Sequence, residues 1–190
     1  MSLDVRTRVA VFASGTGTNF EAMMTSTDRN FDVVMLICDQ PKAHVIGKAA
    51  RFGVETVVLE PKTFSSKEAY EQAILAKLKR ANVQWIALAG YMRIVGATLL
   101  EAYPERIVNI HPSLLPSFPG KDAVGQALEA GVKVSGVTIH YVDEEVDSGP
   151  IIAQEPVTVF PNDTNESLQE RIQQVEHVLY TRVIAELTKQ

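Results

Sequence analysis

Apolar runs and helical stripes alternate along the first half of this chain. Arg8–Ala13, Phe31–Cys38, Glu55–Leu59 and Trp85–Ala89 are short segments dominated by apolar residues, the pattern of strands covered on both faces. Between them, apolar positions return at helical spacing. A helix opens at Phe20–Met24. Lys42–Phe52 carries Val45, Ile46, Ala49 and Ala50 and closes at Gly53, where a residue free to adopt positive φ suits a helix end. The next helix runs to Arg80 on a stripe of Tyr70, Ile74, Leu75 and Leu78. Ser65 is expected to cap its start, with Glu68 completing a capping box.

In the second half, Ala97–Tyr103 forms a helix before Pro104, and Ile107-Val108 leads into Asn109–Pro116. Ala123–Ala130 is a short helix stopped by Gly131. Lys133–Val142 alternates as a strand does, and Ile151–Val159 pairs with it most simply as an antiparallel extension. Asn162–Thr164 caps a long last helix on which Leu168, Ile172, Val175, Leu179, Val183 and Leu187 recur. Strand and helix at this rhythm predict an α/β fold. Its expected form is an open, mostly parallel, Rossmann-like twisted sheet flanked by helices, with an antiparallel strand near the C-terminus. No repeat, linker or low-complexity tract interrupts residues 1–190, which are expected to form a single domain.

Composition narrows the function classes only slightly. Hydrophobic residues make up 46% and charged residues 22% of the 190 positions, ordinary for a soluble globular protein. A formal net charge of -5 argues against a nucleic-acid surface, which needs an excess of Lys and Arg on one face. The one cysteine, Cys38, rules out an intrachain disulfide and falls in a buried strand. No apolar run reaches the ~18 residues that span a bilayer, and the start lacks a signal core. A cytoplasmic protein without a membrane partner is expected; a homodimer is favoured only because symmetric dimers are the commonest assembly.

Candidate chemistry gathers at three places. In Asn109-Ile110-His111-Pro112-Ser113-Leu114-Leu115-Pro116, period-2 geometry aims Asn109 and His111 to one side of an extended segment. The prolines then turn the chain. His140 through Pro150 ends another apolar run and offers Asp147, whose backbone is set by Ser148-Gly149-Pro150. Ser14-Gly15-Thr16-Gly17-Thr18-Asn19 joins a strand to a helix N-terminus, where backbone N–H groups and the helix dipole make an anion site. Gly15 and Gly17 permit close approach, and Thr16, Thr18 and Asn19 add donors. Phe20 stands where a dinucleotide fingerprint has its third glycine, so a phosphate monoester fits better than a dinucleotide. Ser113, which lacks a nucleophile elbow, is expected to brace the turn. His44 and His177 fall in helices and are expected to be structural or solvent-facing. No metal is expected, because no open ligand geometry emerges from His111, His140 and Asp147.

With those motifs in order, together with Ala89-Gly90-Tyr91-Met92-Arg93 and Asp147-Ser148-Gly149-Pro150, the chain closely resembles the phosphoribosylglycinamide formyltransferase family over nearly its whole length. The resemblance implies transfer of the formyl group of 10-formyltetrahydrofolate, the co-substrate, to the amine of glycinamide ribonucleotide in purine biosynthesis, with no covalent enzyme adduct. It makes Asn109, His111 and Asp147 the catalytic group, with His140, Ser113 and Gly120 in support. It places substrate phosphate at Gly15, Thr16, Gly17, Thr18 and Asn19, and ribose at Glu176. It assigns the reduced folate to Met92, Arg93, Ile94 and Val95, to Val142, Asp143 and Glu144 of a closing loop, and to Lys67 near the glutamate tail. On this reading a phosphate-binding half, about 8–105, meets a catalytic and folate-binding half, about 85–190. Lys121-Asp122-Ala123-Val124 departs from relatives that carry His in that loop, and Thr16 from those with Asn.

The alternatives are a 10-formyltetrahydrofolate hydrolase and a non-catalytic nucleotide-binding module. The hydrolase family carries an extra N-terminal regulatory domain, for which a first strand at Arg8 leaves no room. Methionyl-tRNA formyltransferase shares the His-Pro-Ser-Leu-Leu-Pro stretch but adds a C-terminal nucleic-acid-binding domain, whereas this chain is expected to end with its last helix. A binding module has no need for Asn109, His111 and Asp147 to converge.

Overall fold

The computed structural model describes residues 6–189. Its elements are β1 (Thr7–Ala13), α1 (Thr18–Thr25), β2 (Phe31–Cys38), α2 (His44–Arg51), β3 (Glu55–Val58), α3 (Lys67–Arg80), β4 (Trp85–Leu88), α4 (Ala97–Ala102), β5 (Ile107–His111), α5 (Ala123–Ala130), β6 (Val134–Tyr141), β7 (Ile151–Thr158) and α6 (Asn165–Leu187). A single-turn 3-10 helix at Pro61–Thr63 precedes α3.

The strands form one seven-stranded sheet in the order β3-β2-β1-β4-β5-β6-β7. The pairs from β3 to β5 are parallel, and β6 and β7 extend the sheet antiparallel. Alternation along β1 explains why its apolar run is nearly unbroken. Val9, Val11 and Ala13 enter a core with α1, α2, α5 and α6, whereas Ala10 and Phe12 enter a second core with α3 and α4. Both faces are covered, so both sets of alternate residues must be apolar.

Some expected boundaries shift. Ser66, rather than Ser65, caps α3, its Oγ accepting from the Ala69 N–H at 3.0 Å. Glu68 then sits one residue too early to close a capping box. The second helix begins at His44, not Lys42, because Ala43 is still extended at φ -67°, ψ 135°. The strand leading to the Asn-His motif continues through His111, pairing Asn109 with His140 and His111 with Thr138. Both residues therefore stand on the sheet, where ladder bonds fix them more firmly than a loop could. Cys38 is buried as expected, its thiol pushed up by burial. His44 is exposed; His177 is half-buried with an unpartnered Nε2.

Candidate active site

The chain runs outward from β1 to β3, returns to start β4 beside β1, and then proceeds the other way. At such a reversal the loops following neighbouring strands diverge to opposite faces and leave a crevice beyond the carboxyl ends. Here it is a cleft of about 860 Å³. The turn after β1, the loop after β4, the end of β5, the segment after β6 and one face of α6 all line it.

At its centre four polar side chains meet. His111 Nδ1 lies 3.4 Å from Asp147 Oδ2, and His140 Nε2 lies 3.6 Å from Asp147 Oδ1. Asn109 joins them through His140, its Nδ2 standing 3.2 Å from the His140 Nε2. His140 Nδ1 faces the Tyr141 carbonyl at 2.8 Å and His111 Nε2 faces that of Phe118 at 2.8 Å. A carbonyl only accepts, so those nitrogens carry the protons, and the opposite ring nitrogens face the carboxylate. In its neutral form, His140 accepts from the Asn109 amide; once protonated, it is positioned to donate to Asp147. His140 is thus the link between Asn109 and Asp147, more central than its supporting place in the sequence reading.

Asp147 is nearly buried, with its side chain 9% exposed. Burial alone would raise its pKa, but the His140 contact, the Gly120 N–H donating at 2.7 Å and the adjoining imidazoles hold it below the usual carboxylate range. Its backbone is left-handed, φ 55°, a conformation that non-glycine residues seldom adopt without support. Two residues on, a Cβ at Gly149 would overlap the Tyr141 carbonyl, so only glycine lets this turn close against the end of β6. Ser113 is fully buried and donates to the Ser117 carbonyl at 2.5 Å, which commits it to the turn.

At the β1 end, Gly17 has φ 71° and lies against Val45, so a side chain would meet both backbone strain and α2. Thr18 and Asn19 already belong to α1. The buried Asn19 Nδ2 donates to Glu176 Oε2 at 3.2 Å across from α6, and its Oδ1 has no partner. Burial pushes Glu176 up to about 7, with the Asn19 amide pulling the other way.

The loop from Gly90 to Gly96 forms the opposite wall. Tyr91 is held by a 2.7 Å contact between its hydroxyl and that of Tyr70, and Gly96 N–H donates to Glu71 Oε1 at 2.6 Å. Met92 and Ile94 are exposed at 66% and 57%, offering apolar surface to a flat ligand. Val142 and Asp143 line the cleft, and Asp143 accepts from the Ser148 hydroxyl at 2.8 Å. Glu144 is exposed and not among the lining residues. Lys67 also stands outside the cleft, at the start of α3 with its Cε beside Gly96. Among the described residues, no group of three or more His, Cys, Asp or Glu is placed to hold a metal ion.

Several residues lining the cleft lie outside the motifs visible in the sequence. Asn165, Gln169 and Gln173 face the cleft from α6 on the same side as Glu176; their recurrence every four residues along the edge of the apolar stripe is the available signal. Ser14, the first residue of the glycine turn, also lines the cleft, and its hydroxyl donates to Asp39, an acidic residue whose position directly after an apolar strand is its signal in the sequence.

The formyl transferase family model matches residues 7–184. The phosphoribosylglycinamide formyltransferase of Bacillus subtilis (strain 168) is 52% identical over 183 residues, 95% of this chain and 94% of that protein. Glycinamide ribonucleotide transformylase 1 from Geobacillus kaustophilus superposes with a TM-score of 0.94 at 55% identity, over 97% of this chain and all of that one. The phosphoribosylglycinamide formyltransferase from Bacillus halodurans superposes with a TM-score of 0.93 at 52% identity, over 96% of each chain.

Proposed function

The chain belongs to the formyl transferase family, on its phosphoribosylglycinamide formyltransferase branch, and from that premise we propose how it works. It transfers a formyl group to the amine of glycinamide ribonucleotide in purine biosynthesis, drawing the group from 10-formyltetrahydrofolate. The observation that supports the residue assignments is the meeting of Asn109, His111, His140 and Asp147 in the same cleft that the glycine turn and the 90–96 loop line. Phosphate binds at the N–H groups of Gly15 to Asn19 and the ribose at Glu176. The folate lies against Met92 to Val95 under the loop of Val142 and Asp143, and Lys67 waits outside the mouth for a glutamate tail. The two halves of the domain thus bring one substrate each to a shared centre.

The neutral amine attacks the formyl carbon, and the carbonyl oxygen becomes an alkoxide. The Asn109 amide and a His111 N–H donate to that oxygen, each such donor being commonly worth ~3 kcal/mol in the transition state. At present these groups serve His140 and the Phe118 carbonyl, so the developing anion competes with two neutral acceptors and wins by its charge. Asp147 takes the proton from the amine, directly or through an imidazole or water, and the proton ends on the departing folate nitrogen. A carboxylate held below its ordinary pKa is ionised at neutrality and a weak base, suited to passing the proton on to the leaving nitrogen rather than keeping it. The chain acts as a homodimer, which sedimentation giving only the monomer mass across working concentrations would overturn.

The deciding experiment monitors folate product by absorbance with and without glycinamide ribonucleotide. Product should form far faster with the ribonucleotide, because a closed site keeps water from the formyl carbon. Equal rates would install the hydrolase reading. No product under either condition would favour the binding module.

A further inference from the structure

The glycine turn and the 90–96 loop come from different strands and face different substrates, yet both are tied to one buried carboxylate. Asp39 immediately follows β2, and its side chain is fully buried. Its Oδ1 accepts from Ser14 Oγ at 2.5 Å, and its Oδ2 accepts from Arg93 Nε at 2.8 Å and from Gln40 Nε2 at 3.3 Å. The Ser14 hydroxyl gives its only proton to Asp39 and accepts the Met92 N–H at 2.9 Å. A backbone bond from Ser14 N–H to the Gly90 carbonyl, 3.1 Å, runs beside this chain. One carboxylate therefore fixes the root of the turn, the backbone of Met92 and the side chain of Arg93.

The burial of the loop shows why this matters. Its ends are secured independently, by Tyr91 against Tyr70 and the Phe12 ring, and by Gly96 on Glu71. Its middle has little packing of its own, with Met92 and Ile94 exposed and the Arg93 side chain 46% exposed. Among the described residues, the hydrogen bonds recorded for Met92 to Ile94 run only to Ser14 and Asp39. A segment held this way takes its position from its anchors rather than from a core.

Resting on the assignment of phosphate to the turn and folate to the loop, we propose that Asp39 is a positioning residue coupling the two substrate subsites, through Ser14 on one side and Met92 and Arg93 on the other. Phosphate on the turn orders the residues that follow Ser14. The Ser14–Asp39 pair passes that order to the loop, so the folate side loses less freedom when it binds. Coupling between sites is reciprocal, and the folate favours the ribonucleotide by the same factor.

The test is isothermal titration with glycinamide ribonucleotide and tetrahydrofolate, each alone and each with the other saturating. Wild-type protein should show mutual enhancement of ~5-fold or more, the lower end of common coupling energies. Asp39→Asn keeps the shape but weakens the bonds accepted from Ser14 and Arg93, and Ser14→Ala removes the link to Met92 while leaving Asp39 with Arg93. Each variant should bring the factor to within about twofold of one, a loss that general destabilisation would not produce while single-ligand affinities stay measurable. Should Asp39→Asn fail to fold, Ser14→Ala carries the test alone. Wild-type factors near one, or factors unchanged in the variants, would overturn the coupling while formyl transfer persists. Absence of turnover and of binding in the wild type would remove the functional reading and this inference together.

Discussion

The residues of the centre divide the work by environment. Asp147 is ionised because two imidazoles and a backbone N–H outweigh its burial. Asp147→Asn preserves shape but can neither accept a proton at neutrality nor favour a charged imidazole, and its amide faces the Gly120 N–H less well. Those losses fall on the charge-separated transition state, so kcat should drop ~100-fold or more with KM little changed. Steady-state kinetics on the folded variant check this; retention of half the wild-type kcat would move the proton path to His140 or solvent. Glu176 has the opposite sign. Its pKa rises from an unfolded value of ~4.3 to about 7 in the fold. Between those values the folded state holds a proton that the unfolded state has released, so this residue's contribution to stability falls as pH rises through the window. Glu176→Gln removes the penalty while keeping an acceptor for Asn19. Urea titrations should show the variant gaining on the wild type from pH 4.5 to pH 7, by on the order of 3 kcal/mol at the upper end. Parallel curves across that range would mean that Glu176 is solvated in the free protein.

At the level of elements, α6 does more than cover the sheet. Thr164 caps it with a reciprocal box to Ser167, and Asp163 takes both guanidinium arms of Arg171 at 2.8 Å. With its start pinned, the helix presents Gln169, Gln173 and Glu176 to the cleft and drives Tyr180 into the core. The Tyr180 hydroxyl shares its proton between the carbonyls of Leu88 at 2.8 Å and Val108 at 3.0 Å. These are the last residue of β4 and the residue before Asn109, at the level where β4 and β5 are still paired. Tyr180→Phe would leave both carbonyls without that donor and should cost ~1–3 kcal/mol. The denaturant midpoint should fall with its slope unchanged. A midpoint equal to that of the wild type would show that the strand ends hold their geometry without the helix.

At the scale of the whole molecule, the cleft beyond the carboxyl ends of the strands draws its lining from most of the chain's length. Residues lining the cleft stretch from Ser14 to Glu176, so a ligand there joins β1, β4, β5 and α6 in a single unit. At about 100 times Kd, glycinamide ribonucleotide should add ~2.7 kcal/mol to the unfolding free energy. The same ligand should have no such effect if only the unfolded chain recognises it. Thermal melts over a concentration series provide the check, and a Tm indifferent to the ribonucleotide would place its binding elsewhere. No helix among the described residues is long and apolar enough to cross a membrane.

Local patterns by themselves determined the β/α alternation, the antiparallel final pair, the Gly131 stop and the Thr164 cap, because periodicity and capping depend on near neighbours along the chain. They also singled out Asn109 and His111 and the polar cluster from His140 to Pro150, whose types and turns mark chemistry before any contact is known; Asp147 stood out from its acidic neighbours only through the family resemblance. Capping at Ser66 instead of Ser65 turned on which of two adjacent serines adopts the extended conformation, a choice neighbouring sequence leaves nearly degenerate. The linking place of His140, the shift of Glu176 and the hold of Asp39 on Ser14 and Arg93 were decided only by tertiary structure. Each depends on residues 25 to 157 positions apart in the chain and on the exclusion of water between them, and neither separation in space nor burial is written in any local stretch.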